Sequence, residues 1–240
     1  MDRLERARRD LVIANRVLAM HGVVDAYGHV SVRHPEDPER YLLSRSLSPE
    51  LVGLDDIMEF RLDGTAVNDD RPPYLERFIH GGIYEARPEV DTVVHAHAEA
   101  TLPFGLVDIP LRPVIHSASE IGWTVPVWDI ADAFGDRTNL LVKNMAQARD
   151  MAARLAGNSV VLMRGHGFSA AGTSIIKVVT MCVYLPRNAR ILLETMRYGQ
   201  PKGLSQGEIE TRMTETDWTA PAARRGWNYW AMKAGCADLI

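Results

Sequence analysis

Two histidines, His95 and His97, close the run Val90-Asp91-Thr92-Val93-Val94-His95-Ala96-His97 and are the side chains best placed to do chemistry. The run is apolar and β-branched and so reads as a buried strand; alternation then turns both rings to one side, roughly 7 Å apart along the backbone. Val94 and Ala96 point the other way, into packing. Two imidazoles at that spacing can reach one cation. Upstream, Tyr74 to Arg87 carries Leu75, Phe78, Ile79, Ile83 and Ala86 at helical spacing, which predicts an amphipathic helix with Glu76 and His80 one turn apart on its polar side. A carboxylate on the helix that feeds the strand supplies an acid/base partner for a metal site.

A third imidazole, His166, stands between Gly165 and Gly167 at the end of Ser159-Val160-Val161-Leu162-Met163, the most strand-like run in the chain. Bare backbone on either side of a side chain at a strand end is an arrangement that presents that side chain to a ligand. Three neutral imidazoles leave a divalent cation with open positions, the pattern of a catalytic rather than a closed site. Spacing alone supports two readings equally: a three-histidine metal set, or three unrelated buried histidines bonded to backbone carbonyls.

Other elements must position these groups. A first helix is expected over Asp2 to Met20, with Leu4, Ala7, Leu11, Ala14 and Leu18 as its buried stripe. Strands are expected at His29–His34, at 41–43 and at Ile57–Leu62, the last closed by the hairpin signal Asp63-Gly64. Between them the hydroxyl-rich turn Ser44-Arg45-Ser46-Leu47-Ser48-Pro49 suits an anionic substrate group. Leu106 to Ile121 is a candidate binding loop that carries His116, and 125–128 reads as a short edge strand. Helices are expected over Asn144–Gly157 and Ser174–Tyr198, followed by a tail with Trp218, Trp227, Tyr229 and Trp230, read chiefly as packing aromatics.

With 240 residues and 46% apolar content the chain can bury one substantial core, and no composition break divides it, so a single domain over 1–240 is expected. A net charge of −4 gives no electrostatic footprint for nucleic acid. No apolar run approaches membrane-spanning length and no secretory signal is apparent, so a cytoplasmic protein with no membrane partner is expected. Two isolated cysteines, Cys182 and Cys236, offer neither a disulfide frame nor a thiolate site. Any metal falls to histidine.

Taken in order, Gly28-His29-Val30-Ser31, Leu43-Ser44-Arg45-Ser46-Leu47-Ser48-Pro49, Glu76-x-x-x-His80, His95-Ala96-His97 and Gly165-His166-Gly167 resemble the class II aldolase/adducin family over about residues 8–199. The resemblance implies a three-layer α/β/α fold around a mostly antiparallel sheet, with a helical tail over about 200–240. It also implies ring tetramers with active sites between subunits. It assigns His95, His97 and His166 as metal ligands and Glu76 as the acid/base. Sugar-phosphate members carry Gly-Asn-(Val/Ile)-Ser in the first loop; here His29 follows Gly28, and the second loop lacks a Thr-Gly turn. This variant is similar to the branch of decarboxylases that act on 3-hydroxy-2-methylpyridine-4,5-dicarboxylate and 3,4-dihydroxyphthalate. The resemblance thus implies a metal-dependent decarboxylase of a hydroxylated aromatic carboxylate, using manganese or zinc, with His29, Ser44, Arg45, Ser46, His80 and His116 as substrate-binding candidates. An aldolase acting on an unphosphorylated substrate is the alternative, and an iron-dependent oxygenase or a non-catalytic scaffold of the same fold stands behind it.

Overall fold

Seven strands form one sheet in the order β3-β2-β1-β4-β7-β6-β5, seen in a computed structural model that describes residues 1–240. They are β1 (His29–Arg33), β2 (Arg40–Ser44), β3 (Ile57–Arg61), β4 (Thr92–Ala96), β5 (Val127–Trp128), β6 (Val160–Met163) and β7 (Gly167–Gly172). Every neighbouring pair is antiparallel except β5 with β6. The helices are α1 (Arg3–Met20), α2 (Arg77–Ala86), α3 (Ile130–Phe134), α4 (Met145–Leu155), α5 (Ile175–Tyr198), α6 (Gln206–Glu215) and α7 (Pro221–Lys233). None is long and apolar enough to cross a membrane.

Alternation along the strands sorts side chains into two apolar layers. Val30, Val32, Val94, Ala96, Leu162 and Phe168 join α1, α5 and Trp227 of α7 on one face. Leu43, Phe60, Val93, Val161 and Met163 join α2 and α4 on the other. The result is the expected three-layer arrangement, and it settles which way the histidine strand faces. Val94 and Ala96 pack toward α5, so His95 points to the α2 side, where Glu76 lies.

Two differences from the sequence expectation bear on the site. α2 starts at Arg77 rather than Tyr74. Pro72 and Pro73 hold the preceding backbone extended, and a bridge between Arg45 and Pro73 pins it to the end of β2. Tyr74 and Leu75 are therefore wall residues ahead of the helix, and Glu76 is its N-cap residue. The second difference is β7, an added strand of Gly, Ser, Ala and one Phe, all buried. Small residues are poor strand formers in isolation, and the sheet accepts them here because β4 and β6 flank them on both sides. The long 106–121 loop is tied to α5 by buried Asn188, whose Oδ1 accepts from Val114 N–H at 2.8 Å and whose Nδ2 donates to the Arg112 carbonyl at 2.8 Å.

Candidate metal centre

β4 delivers His95 from its last turn of pleat, and His97 follows just past the strand end. His166 comes from the tight turn between β6 and β7. That turn can press against the end of β4 only because position 167 is glycine: a Cβ there would stand 2.2 Å from the Ala96 carbonyl oxygen. Glu76 arrives at the N-terminus of α2, 8% exposed. One ligand atom from each of Glu76, His95, His97 and His166 lies within 4.8 Å of the others.

The local bonding prepares these rings for a cation. His95 Nδ1–H donates to the Phe168 carbonyl at 3.0 Å, which fixes the tautomer and leaves Nε2 as a bare lone pair. That Nε2 lies 2.9 Å from His97 Nε2 and 3.6 Å from Glu76 Oε2. His166 Nε2 is 3.5 Å from the same carboxylate oxygen, and its Nδ1 is buried without a partner. Burial lowers the pKa of His95 and of His97, so both rings are neutral and available as ligands. A first-row cation bonds imidazole nitrogen at about 2 Å, so ligand atoms of one ion stand roughly 3 to 4 Å apart, and small side-chain movements bring this set into range. The donor set fits a divalent metal.

Glu76 combines two opposed influences. Burial pushes its pKa up, but the hydrogen bond to His166, the adjoining His95 and His166 rings, and the Val142 N–H bonded to Oε1 at 2.9 Å outweigh this and bring it down to about 2. Bonding to its neighbours is therefore what keeps this buried carboxylate ionised. Oε1 is held in place by the backbone while Oε2 faces the rings.

A cavity of about 530 Å³ opens onto this cluster. Tyr27, Leu47, Tyr74, Leu75 and Leu141 give it apolar walls, and His29, Ser46, Ser48, Glu76 and His97 line its polar part. No lysine or arginine lines it. No motif marks Tyr27, Tyr74 or Leu141; Tyr74 continues the apolar spacing of the helix that follows, and only the Pro-Pro before it marks an extended segment.

Of the substrate-binding candidates, the structure brings His29 and Ser46 to this cavity. Four others lie elsewhere. Ser44 is fully buried and bonds the Tyr74 hydroxyl at 3.0 Å, bracing the wall from behind; that hydroxyl also donates to the Leu47 carbonyl. Arg45 is turned away by an ion pair with Asp56 at 2.6 Å. His80 is fully buried and bonds His29 and Ser31 on β1, because it shares a helix face with Glu76 but lies one turn, about 6 Å, further along α2, past the cavity. His116 sits in the 116–121 turn beside α5 and α6, where its ring accepts from Arg212 Nε at 3.2 Å.

This chain belongs to the class II aldolase and adducin N-terminal domain family, whose sequence pattern matches residues 9–193. Decarboxylase tropJ of Talaromyces stipitatus is 36% identical, over 96% of this chain and 95% of that one. A 3,4-dihydroxyphthalate decarboxylase of Arthrobacter keyseri is 29% identical, over 91% and 93%. In fold, a solved aldolase II superfamily protein from Pseudomonas syringae superposes with a TM-score of 0.80 over 98% of this chain and 94% of that one, at 20% identity.

Proposed function

We propose that this protein is a metal-dependent decarboxylase of a hydroxylated aromatic or heteroaromatic carboxylate such as 3,4-dihydroxyphthalate. The observation that carries the reading is the cavity itself, whose apolar walls Tyr27, Leu47, Tyr74, Leu75 and Leu141 lead to Glu76 and His97, two members of the three-histidine cluster. A flat ring suits those walls, and the first loop carries His29 after Gly28 where the sugar-phosphate members have asparagine. The likeness to tropJ and to the dihydroxyphthalate decarboxylase supports the same reaction.

His95, His97 and His166 would hold a divalent ion, manganese or zinc, which when bound supplies Lewis-acid stabilisation for the negative charge left on the ring as carbon dioxide departs. The chain's own groups do the rest. Tyr74 and Leu75 on one side and Leu47 and Leu141 on others exclude water and hold the ring against the imidazoles. Glu76 is anchored through Oε1 to Val142 N–H, so Oε2 is the atom that takes up a proton and hands it to the ring carbon when the bond to the carboxylate has broken. At the cavity mouth Tyr27 is 70% exposed and Leu75 51%, an apolar rim that we place against a neighbouring subunit of a homo-oligomer, a tetramer in the ring arrangement of this family.

The deciding experiment supplies manganese or zinc and offers hydroxyphthalate-type acids alongside unphosphorylated hydroxy-ketones. Carbon dioxide release from the acids is expected. Aldehyde release from the ketones without any carbon dioxide from the acids would make the protein an aldolase instead.

A further inference from the structure

Behind the cavity wall runs a row of buried hydrogen bonds that the metal cluster does not use. His29 Nδ1 lies 2.6 Å from His80 Nε2, and His80 Nδ1 lies 2.6 Å from Ser31 Oγ. Ser31 Oγ lies 2.8 Å from the Tyr84 hydroxyl, which donates to the Asp91 carbonyl at 3.3 Å. His29 is 4% exposed, Tyr84 1%, and Ser31 and His80 not at all, so no water competes along the row. Only the outer end is open: His29 lines the cavity, and its Nε2 makes no bond within the protein.

The row has a direction because its inner end is a carbonyl, which can only accept. Tyr84 has one hydroxyl proton and gives it to Asp91, so its oxygen must accept from Ser31. Ser31 has then spent its own proton and must accept from His80 Nδ1–H. A neutral His80 with its proton on Nδ1 has a bare Nε2, which accepts from His29 Nδ1–H. His29 in turn is left with a bare Nε2 facing the cavity. Running every link the other way keeps three bonds and gives up the fourth. Two further features agree: burial holds His80 neutral, with its pKa near 3, and the Arg33 guanidinium 4.7 Å over the Tyr84 ring makes that hydroxyl a better donor.

We infer that His29 is the specificity-determining acceptor of this cavity, set in that state by His80, Ser31 and Tyr84, so that the site selects a ring bearing a hydroxyl or another hydrogen-bond donor at that point. The inference rests on the cavity being the substrate site, as the proposed function holds. His29 touches the ligand; the other three are positioning residues. A ring with an ether oxygen or a carboxylate oxygen at that point presents lone pair to lone pair and is rejected.

The test has one arm that needs no turnover. In ¹⁵N-labelled protein, metal-free and zinc-loaded, two-bond correlation spectra of the imidazoles are expected to show both His29 and His80 protonated on Nδ1 and bare on Nε2. Tyr84→Phe, which removes the directing bond, is expected to shift or mix those tautomers, and Ser31→Ala serves as a second break should Tyr84→Phe fold poorly. The other arm compares binding of 3,4-dihydroxyphthalate with its dimethyl ether by titration. Loss of one directed hydrogen bond is worth about tenfold, so Tyr84→Phe should weaken the diol about tenfold while leaving the ether within about twofold. A merely structural role for Tyr84 would weaken both alike and overturns the inference, as does a proton on His29 Nε2 in the unmodified protein. Absence of carbon dioxide release from any acid would count against the decarboxylase reading alone, because the tautomer arm is decided without it.

Discussion

Five of the eight histidines share one side of the sheet, and they fall into two groups that burial alone does not separate. His29 and His80 are bonded to each other and, through Ser31, to the interior, so three of their four ring nitrogens are occupied by protein. His95, His97 and His166 meet nitrogen to nitrogen around Glu76, and only His95 Nδ1 has a conventional acceptor, the Phe168 carbonyl. The contrast teaches that the count of unspent ring nitrogens, and the direction they face, separates the two groups where depth does not. His80 and His95 are equally inaccessible, yet one completes the fold and the other is available to a ligand.

The sharpest way to break this contrast is to remove one ring from each group and measure bound metal after dialysis. His166→Ala is expected to lose stoichiometric zinc or manganese and, with several kcal/mol of charge stabilisation gone, to lose about a thousandfold or more in turnover. His80→Gln should keep its metal; if it does not, the division fails. Next in size is Glu76→Gln, which leaves the three imidazoles intact. It should retain metal and lose roughly 10²- to 10⁴-fold in kcat, the usual worth of a positioned acid/base, and full activity in the loaded variant would remove Glu76 from that role.

The internally bonded group makes a pH prediction. His80 in the fold has a pKa near 3 against an ordinary value of 6.5, so below pH 6.5 the unfolded chain takes up a proton that the folded chain refuses. The stability this neutral ring contributes is present above pH 6.5 and is lost as pH falls from there toward 3. Denaturant melts at pH 7 and pH 5 should differ by about 2 kcal/mol on this account, and His80→Gln should remove that slope while lowering stability at both values. The smallest effect is expected at Arg45, whose ion pair with Asp56 holds it off the cavity: Arg45→Ala should change turnover by less than about twofold.

The same contrast explains what could be read from sequence. Strand alternation placed His95 opposite Val94 and Ala96, and the structure has that arrangement. The carboxylate on the preceding helix is also where periodicity put it, though at the helix boundary, because apolar spacing continues through Tyr74 and Leu75 while the prolines before them stop the helix. His80 could not be assigned in advance. Its partners, Ser31 and His29, lie 49 and 51 positions away, and a one-turn offset from Glu76 does not say whether a side chain ends in the cavity or under it. Arg45 likewise looked like an anion-binding group until Asp56, 11 residues on, claimed it. Nothing in Gly167–Gly172 announces a strand, since its pairing comes from neighbours and not from its own side chains.

α2 carries a further consequence. Gly81 and Gly82 lie side by side in this ten-residue helix, and each is required by contact: a Cβ at 81 would come 2.0 Å from the Leu62 carbonyl oxygen, and one at 82 would come 2.7 Å from the Ala148 side chain. Two glycines in so short a segment each cost about 1 kcal/mol of intrinsic helix stability, so the segment does not hold its shape alone and becomes helical as it docks between the β3 hairpin and α4. Its own N-terminus gains no side-chain cap, since the residue there is turned to the imidazoles. The carboxylate at its start therefore keeps its place beside His95, His97 and His166 only while α2 stays docked, so a change that loosens the contact with Ala148 reaches the cluster from behind.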